Sequence, residues 1–172
     1  ARLTPEAYDS LAAAGRKHGL TLMGHVPASL DLAHVLAAGQ RTIEHLDGYA
    51  ESAQSEGSPF AGNVDLTDEA EAWQHVDEVK LADLAQRTRE ADAWNCPTLV
   101  VHLKWVQGEA AEALLADPRM RFVSPQTRAA WSPKSPWNYL SRLPPERAAH
   151  ARESVARRMR AVLILHEAGA RI

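Results

Sequence analysis

Apolar positions along the chain alternate between two periods, and each switch marks the edge of an element. Behind Thr4-Pro5-Glu6, the residues Tyr8, Leu11, Ala12 and Gly15 form one stripe at helical spacing. This predicts a helix from the Thr4 cap to about His18, with Gly19 as a left-handed stop. Thr21-Leu22-Met23-Gly24 and Arg41-Thr42-Ile43-Glu44 then read as strands on either side of a helix over Leu30 to Ala38, whose Leu32, Val35 and Leu36 share a face. So short a crossover joins parallel neighbours, which brings His25 and His45 out at the same carboxyl ends of two strands about 4.8 Å apart. Strict alternation places Thr21, Met23 and His25 on one face. It also groups Arg41, Ile43 and His45 inward and turns Thr42 and Glu44 toward the helices.

The rest of the chain continues in the same alternation of strand and helix. Residues 46–66 are small and polar, with Gly57, Pro59 and Gly62, and read as a long loop over the strand ends. A helical region opens at Thr67 and runs to about Trp94 with a break near Asp77; Leu81, Leu84, Ala85 and Thr88 mark its buried face. A third parallel strand is predicted near 97–102 with Pro97 at its start, and a stub of a fourth at 170–172. Helices are expected over Lys104 to Ala116 and Glu146 to Ala168, separated by a Pro-rich segment near 117–145 with Phe122, Trp131, Trp137 and Tyr139. Those aromatics either line a cleft or subunit contact, or tether the loop to its own domain.

Composition narrows the partners. A chain of 172 residues, 45% hydrophobic, suffices for one ordinary domain or for half of a larger barrel, since a complete (β/α)8 barrel takes about 250 residues. A net charge of -3 gives no basic footprint, so no nucleic-acid partner is expected, and the Arg-rich run around Arg157 reads as a solvated helix face. No apolar run approaches a membrane span, so no membrane partner is expected. The single Cys96 excludes an internal disulfide. The sequence leaves the compartment open, any targeting segment being expected upstream of Ala1.

The candidate chemistry lies at the strand ends. Two imidazoles on adjacent parallel strands can reach one divalent metal, because Zn-N bonds of about 2.0 to 2.1 Å need the nitrogens only a few ångströms apart. Tyr49, four residues past His45, either orients a substrate carboxylate or carbonyl or packs beneath the loop. His102 falls near the same mouth, in contact with substrate or in packing. His18, His34 and His75 are assigned no chemistry.

The stretch HGLTLMGHVP followed by AGQRTIEHLDGY resembles strands five and six of the metal-dependent amidohydrolase superfamily, nearest its imidazolonepropionase-like and Xaa-Pro dipeptidase-like branch. The resemblance implies an α/β fold, a partial (β/α)8 TIM barrel of about strands five to seven spanning 1–172. It implies that His25 and His45 are ligands of Zn2+ or a similar divalent metal. The implied reaction is cleavage of an amide or peptide-like C-N bond in a small-molecule or short-peptide substrate by metal-activated water. The family's His-x-His of strand one, its carboxylated Lys or Glu of strand four and its Asp of strand eight have no counterpart here. The chain is therefore expected to be an internal portion of a longer enzyme, itself inactive and a homo-oligomer through its open strand edges. A non-catalytic βα module binding a small molecule or partner at the same strand ends is the alternative.

Overall fold

The computed structural model describes residues 3–61, 69–106, 113, 115–132, 134–135 and 143–172. Helix α1 (Pro5–His18) starts and stops where its residues dictate: Thr4 accepts from Ala7 N at 3.3 Å, and Gly19 at φ 63° ends it. Asp31 caps α2 (Leu32–Ala37) by accepting from His34 N at 2.7 Å. Strand β1 (Thr42–Glu44) follows, then the single turn α3 (Tyr49–Ser52). Helix α4 (Glu69–Ala72) tightens into a 3-10 turn at Trp73–His75; Asp77 then caps α5 (Glu78–Glu90) through Val79 N and Lys80 N. After β2 (Trp94–Cys96) come α6 (Leu99–Val106), a 3-10 turn at Pro118–Phe122, α7 (Pro125–Trp131) and the 23-residue α8 (Pro145–Glu167). Among the described residues, no helix is long and apolar enough to cross a membrane.

Strands β1 and β2 pair in parallel, Thr42 with Trp94, Ile43 with Asn95 and Glu44 with Cys96, and Arg171 adds a parallel bridge to Trp94. Leu81, Leu84 and Ala85 of α5, Leu32, Val35 and Leu36 of α2, and Ile164 and Leu165 of α8 bury against Ile43, with Trp73 and Tyr49 the largest aromatic side chains enclosed. Each of these leucine, isoleucine and valine side chains stabilises the fold by about 1.5 to 3 kcal/mol on burial. The core thus lies on one face of the sheet, between it and the helices. The other face is open: Trp94 is 47% exposed, and Cys96 two residues on is exposed beside it.

Four expectations are corrected. Residues 21–25 run beside β1 but form no ladder there: Arg41 N donates to Leu22 O at 2.8 Å, after which the Thr42 hydroxyl takes the Gly24 amide at 3.0 Å. Gly24 has φ 130°, a backbone that leaves the pleat. The strand expected at 97–102 lies at Trp94–Cys96 instead, because Pro97 offers no N–H and Thr98 turns left-handed at φ 45°. The apolar run Leu99–Val106 is consequently helical and packs on α8, so the helix expected to open at Lys104 starts earlier. The alternation in β1 is also the reverse of that expected. Ile43 and its neighbour Asn95 are buried under the helices, whereas Thr42 and Glu44 lie with exposed Trp94 and Cys96 on the open face.

Thr67, residues 107–112, and the Pro-rich positions Pro133, Pro136, Trp137 and Tyr139 lie outside the described residues. Phe122 and Trp131, from the same Pro-rich segment, are exposed.

Gln40 attaches the 21–25 segment to the sheet. Its side chain is buried, accepts from Tyr8 Oη at 2.8 Å and donates to both Gly24 O and Thr42 O at 2.8 Å. Replacing Gln40 by Ala leaves the buried Tyr8 hydroxyl and two part-buried carbonyls without this partner, so Q40A is expected to cost about 2 kcal/mol in urea unfolding. A loss below about 0.5 kcal/mol, the range of an ordinary surface change, would show that Gln40 does not hold the segment.

Candidate functional site

The two histidines singled out by their positions meet in the structure. Strand β1 ends in consecutive left-handed residues, His45 at φ 57° and Leu46 at φ 63°, followed by Gly48 at φ 82°. For residues with a Cβ this conformation costs about 1 to 2 kcal/mol each, so the surroundings must hold it. His45 N still donates to Cys96 O at 2.8 Å, which continues the β1–β2 ladder by one bond. Beyond that bond the chain turns, and Asp47 N closes back on Glu44 O at 2.9 Å.

His25 follows Gly24 on the neighbouring segment, and the His25 and His45 rings stack with centroids 5.0 Å apart and planes 28° from parallel. Each ring is fixed at Nδ1 by an oxygen. Asp47 Oδ2 lies 2.9 Å from His25 Nδ1, and Thr98 Oγ1, on the left-handed residue after β2, makes a short contact with His45 Nδ1. With Nδ1–H donating to the Asp47 carboxylate, His25 presents the lone pair of Nε2, the tautomer a metal requires. His25 itself is 54% exposed at the side chain, so this lone pair faces outward from the core.

The ground beneath the pair is charged. Arg158 of α8 is 2% exposed, forms an ion pair with Glu69 of α4, stacks over Trp73 at 4.8 Å and donates Nη1 to His45 O at 3.4 Å. Burial raises the Asp47 carboxyl above its ordinary range, a shift countered by its hydrogen bond to His25. Glu51, half-buried on α3, is pushed up to about 7, chiefly by burial, with the Glu69 and Asp47 charges adding to the shift and Arg158 opposing it.

The other sequence-predicted residues fall elsewhere. Tyr49 is wholly enclosed; its hydroxyl meets Thr88 Oγ1 and Asn95 Oδ1, each at 2.8 Å, under the sheet, so it packs the core rather than facing substrate. His102 lies on α6, because the strand expected to carry it ends at Cys96. It is buried, and burial, followed by the Arg158 charge, lowers its pKa to about 4, which keeps it neutral at physiological pH. His34 binds Asp9 at 2.7 Å, and His75 packs near Phe60 with ring centres 5.5 Å apart.

Sequence reasoning missed Asp47, Thr98, Glu69, Glu51 and above all Arg158. A signal for Arg158 exists: Ala151, Ser154, Val155, Arg158, Ala161 and Leu165 recur at helical spacing, and all are buried. The Arg-rich run therefore has one inward member and is not wholly a solvated face.

The donor set fits a divalent metal in part. With the ring centres 5.0 Å apart and each Nδ1 engaged by an oxygen, the two Nε2 atoms would be the donors to such an ion. Among the described residues no group of three or more His, Cys, Asp or Glu is arranged to hold a metal ion.

The fold is of the α/β class, built on parallel strands with the helices on one face. No family model and no curated protein matches the sequence. Among solved structures, bottromycin amidohydrolase is similar at 23% identity with a TM-score of 0.57, over 98% of this chain and 34% of that one. The likeness is one of fold, and the chain spans about a third of that protein's length.

Glu51 gives the site a pH signature. Its pKa rises from 4.5 unfolded to about 7 folded, so its favourable contribution is complete below 4.5 and is lost as pH rises through 7. Between pH 5 and pH 8, wild type should lose about 2 kcal/mol of stability that E51Q retains, measured by urea unfolding at both pH values. Parallel pH dependence in the two proteins would contradict the buried carboxyl.

Proposed function

We propose that this chain is part of the catalytic barrel of a metal-dependent amidohydrolase, carrying the strand ends that the resemblance equates with barrel strands five and six. The observation that carries the reading is the stacked His25–His45 pair with each ring anchored through Nδ1. That arrangement leaves both Nε2 atoms free to bind Zn2+ or a similar ion. Asp47 fixes the tautomer and ring plane of His25, and the Thr98 hydroxyl anchors the ring of His45. The fold-level likeness to a protein named for amide hydrolysis supports the same reaction class, and the sequence stretch around the two histidines favours the imidazolonepropionase-like and Xaa-Pro dipeptidase-like branch.

When bound, the metal supplies Lewis acidity for cleavage of an amide or peptide-like C-N bond by water. The chain's own residues orient the two imidazoles through Asp47 and Thr98. A catalytic zinc usually takes three protein ligands, so this chain alone is expected to bind metal weakly and to hydrolyse little. The open sheet face with Trp94 favours association with a second copy.

Zinc titration of the purified chain, followed by calorimetry and sedimentation, tests this reading. Wild type should take up one ion per His25–His45 pair and sediment as a dimer or larger. H25A and H45A should each weaken uptake by more than the roughly tenfold that loss of an outer hydrogen-bond partner costs, while D47N should cost about that tenfold. Equal zinc affinity in wild type and both His variants would overturn the assignment.

A further inference from the structure

Among the described residues Arg158 carries the one buried guanidinium, and the reason for its burial is not stability alone. Taking a charge out of water costs several kcal/mol, and an apolar replacement for a buried ion pair is often neutral or stabilising. The Glu69 carboxylate offsets part of that cost, and the Trp73 face offsets a little more. The compensation is incomplete, because Arg158 Nε has no hydrogen-bond partner among the described residues. An apolar side chain at this position would fill the same space without that deficit. It could not donate to the His45 carbonyl, which Arg158 Nη1 reaches at 3.4 Å.

That carbonyl belongs to the first of two left-handed residues. The last ladder bond, from His45 N to Cys96 O, fixes the amide side of His45, and the turn sends its carbonyl away from the sheet toward α8. With the amide fixed on β2 and the carbonyl on α8, both peptide planes around the His45 Cα are set. The direction of Cα–Cβ, and with it the stacking on His25, follows.

We infer that Arg158 is a positioning residue for His45: its guanidinium, fixed by Glu69 and Trp73, holds the His45 carbonyl and thereby the left-handed backbone that aims the imidazole at His25. The inference rests on the proposed role of this pair for its link to metal, but the positioning itself exists without any ion. The geometry gives α8, which lies more than 100 residues along the chain from His45, control over the strand-end site.

The discriminating variant is R158K. Lysine keeps the charge and the pairing with Glu69, so the fold should persist, but one ammonium lacks the fork that also serves the carbonyl. Imidazole nitrogen NMR of the metal-free chain reads the result. In R158K the His45 signals should shift and broaden while those of His34 and His75 stay in place, and zinc affinity should fall about tenfold. Unchanged His45 signals, or a shift spread equally over all histidines, would overturn the inference. If R158K does not fold, E69Q serves instead: it leaves the arginine but releases its anchor, and undisturbed His45 signals there would count against the proposal. Wild type that binds no zinc, with His45 still displaced by R158K, would refute the metal reading and leave the positioning role standing.

Discussion

The left-handed turn at His45 and Leu46 is the constraint on which the site depends. Two consecutive residues with side chains adopt a backbone that costs each of them free energy, at the point where a strand of only three residues ends. The turn persists because three separate elements hold it: β2 through the Cys96 carbonyl, the β2–α6 junction through Thr98, and α8 through Arg158. Thr98 is itself left-handed, so both adjacent strands end in the same kind of reversal and present their side chains to one another. Strain of this kind is stored where a side chain must point against the regular pleat.

Beneath the turn, polar groups do work that apolar packing cannot. Tyr49 joins Thr88 of α5 to Asn95 of β2, and Asn95 Nδ2 reaches Arg171 O at 2.9 Å. This network ties helix, strand and the last bridge of the sheet into one register. Gln40 performs the same task on the other side of β1. Two short strands and a bridge give few ladder bonds, so side-chain amides and hydroxyls supply the alignment that longer strands would obtain from the backbone.

Much of this was legible in the sequence, for local reasons. Thr4, Gly19, Asp77 and the apolar stripes of α1, α5 and α8 announce their helices through caps and spacing that need no tertiary context. The adjacency of His25 and His45 is legible in the short crossover through α2, although residues 21–25 run beside β1 without pairing as a strand. What misled was the assumption of unbroken pleat. Left-handed His45 and Thr98, and Gly24 at φ 130°, end the strands early, which displaced the third strand and undid parity as a guide to side-chain direction. Arg158 escaped notice because it lies among arginines that do face water, and because its partners Glu69 and His45 are 89 and 113 residues distant in sequence. Counting from His45 leaves Tyr49 open between substrate contact and packing, and the turn decides for packing by directing it into the core.

The central claim is that the two stacked imidazoles are metal ligands through Nε2. X-ray absorption at the zinc edge, on the zinc-loaded chain, tests it most directly. The account predicts two imidazole scatterers with Zn-N distances of about 2.0 to 2.1 Å, reduced to one in H45A. A spectrum with only oxygen neighbours, or one identical in wild type and H45A, would contradict it.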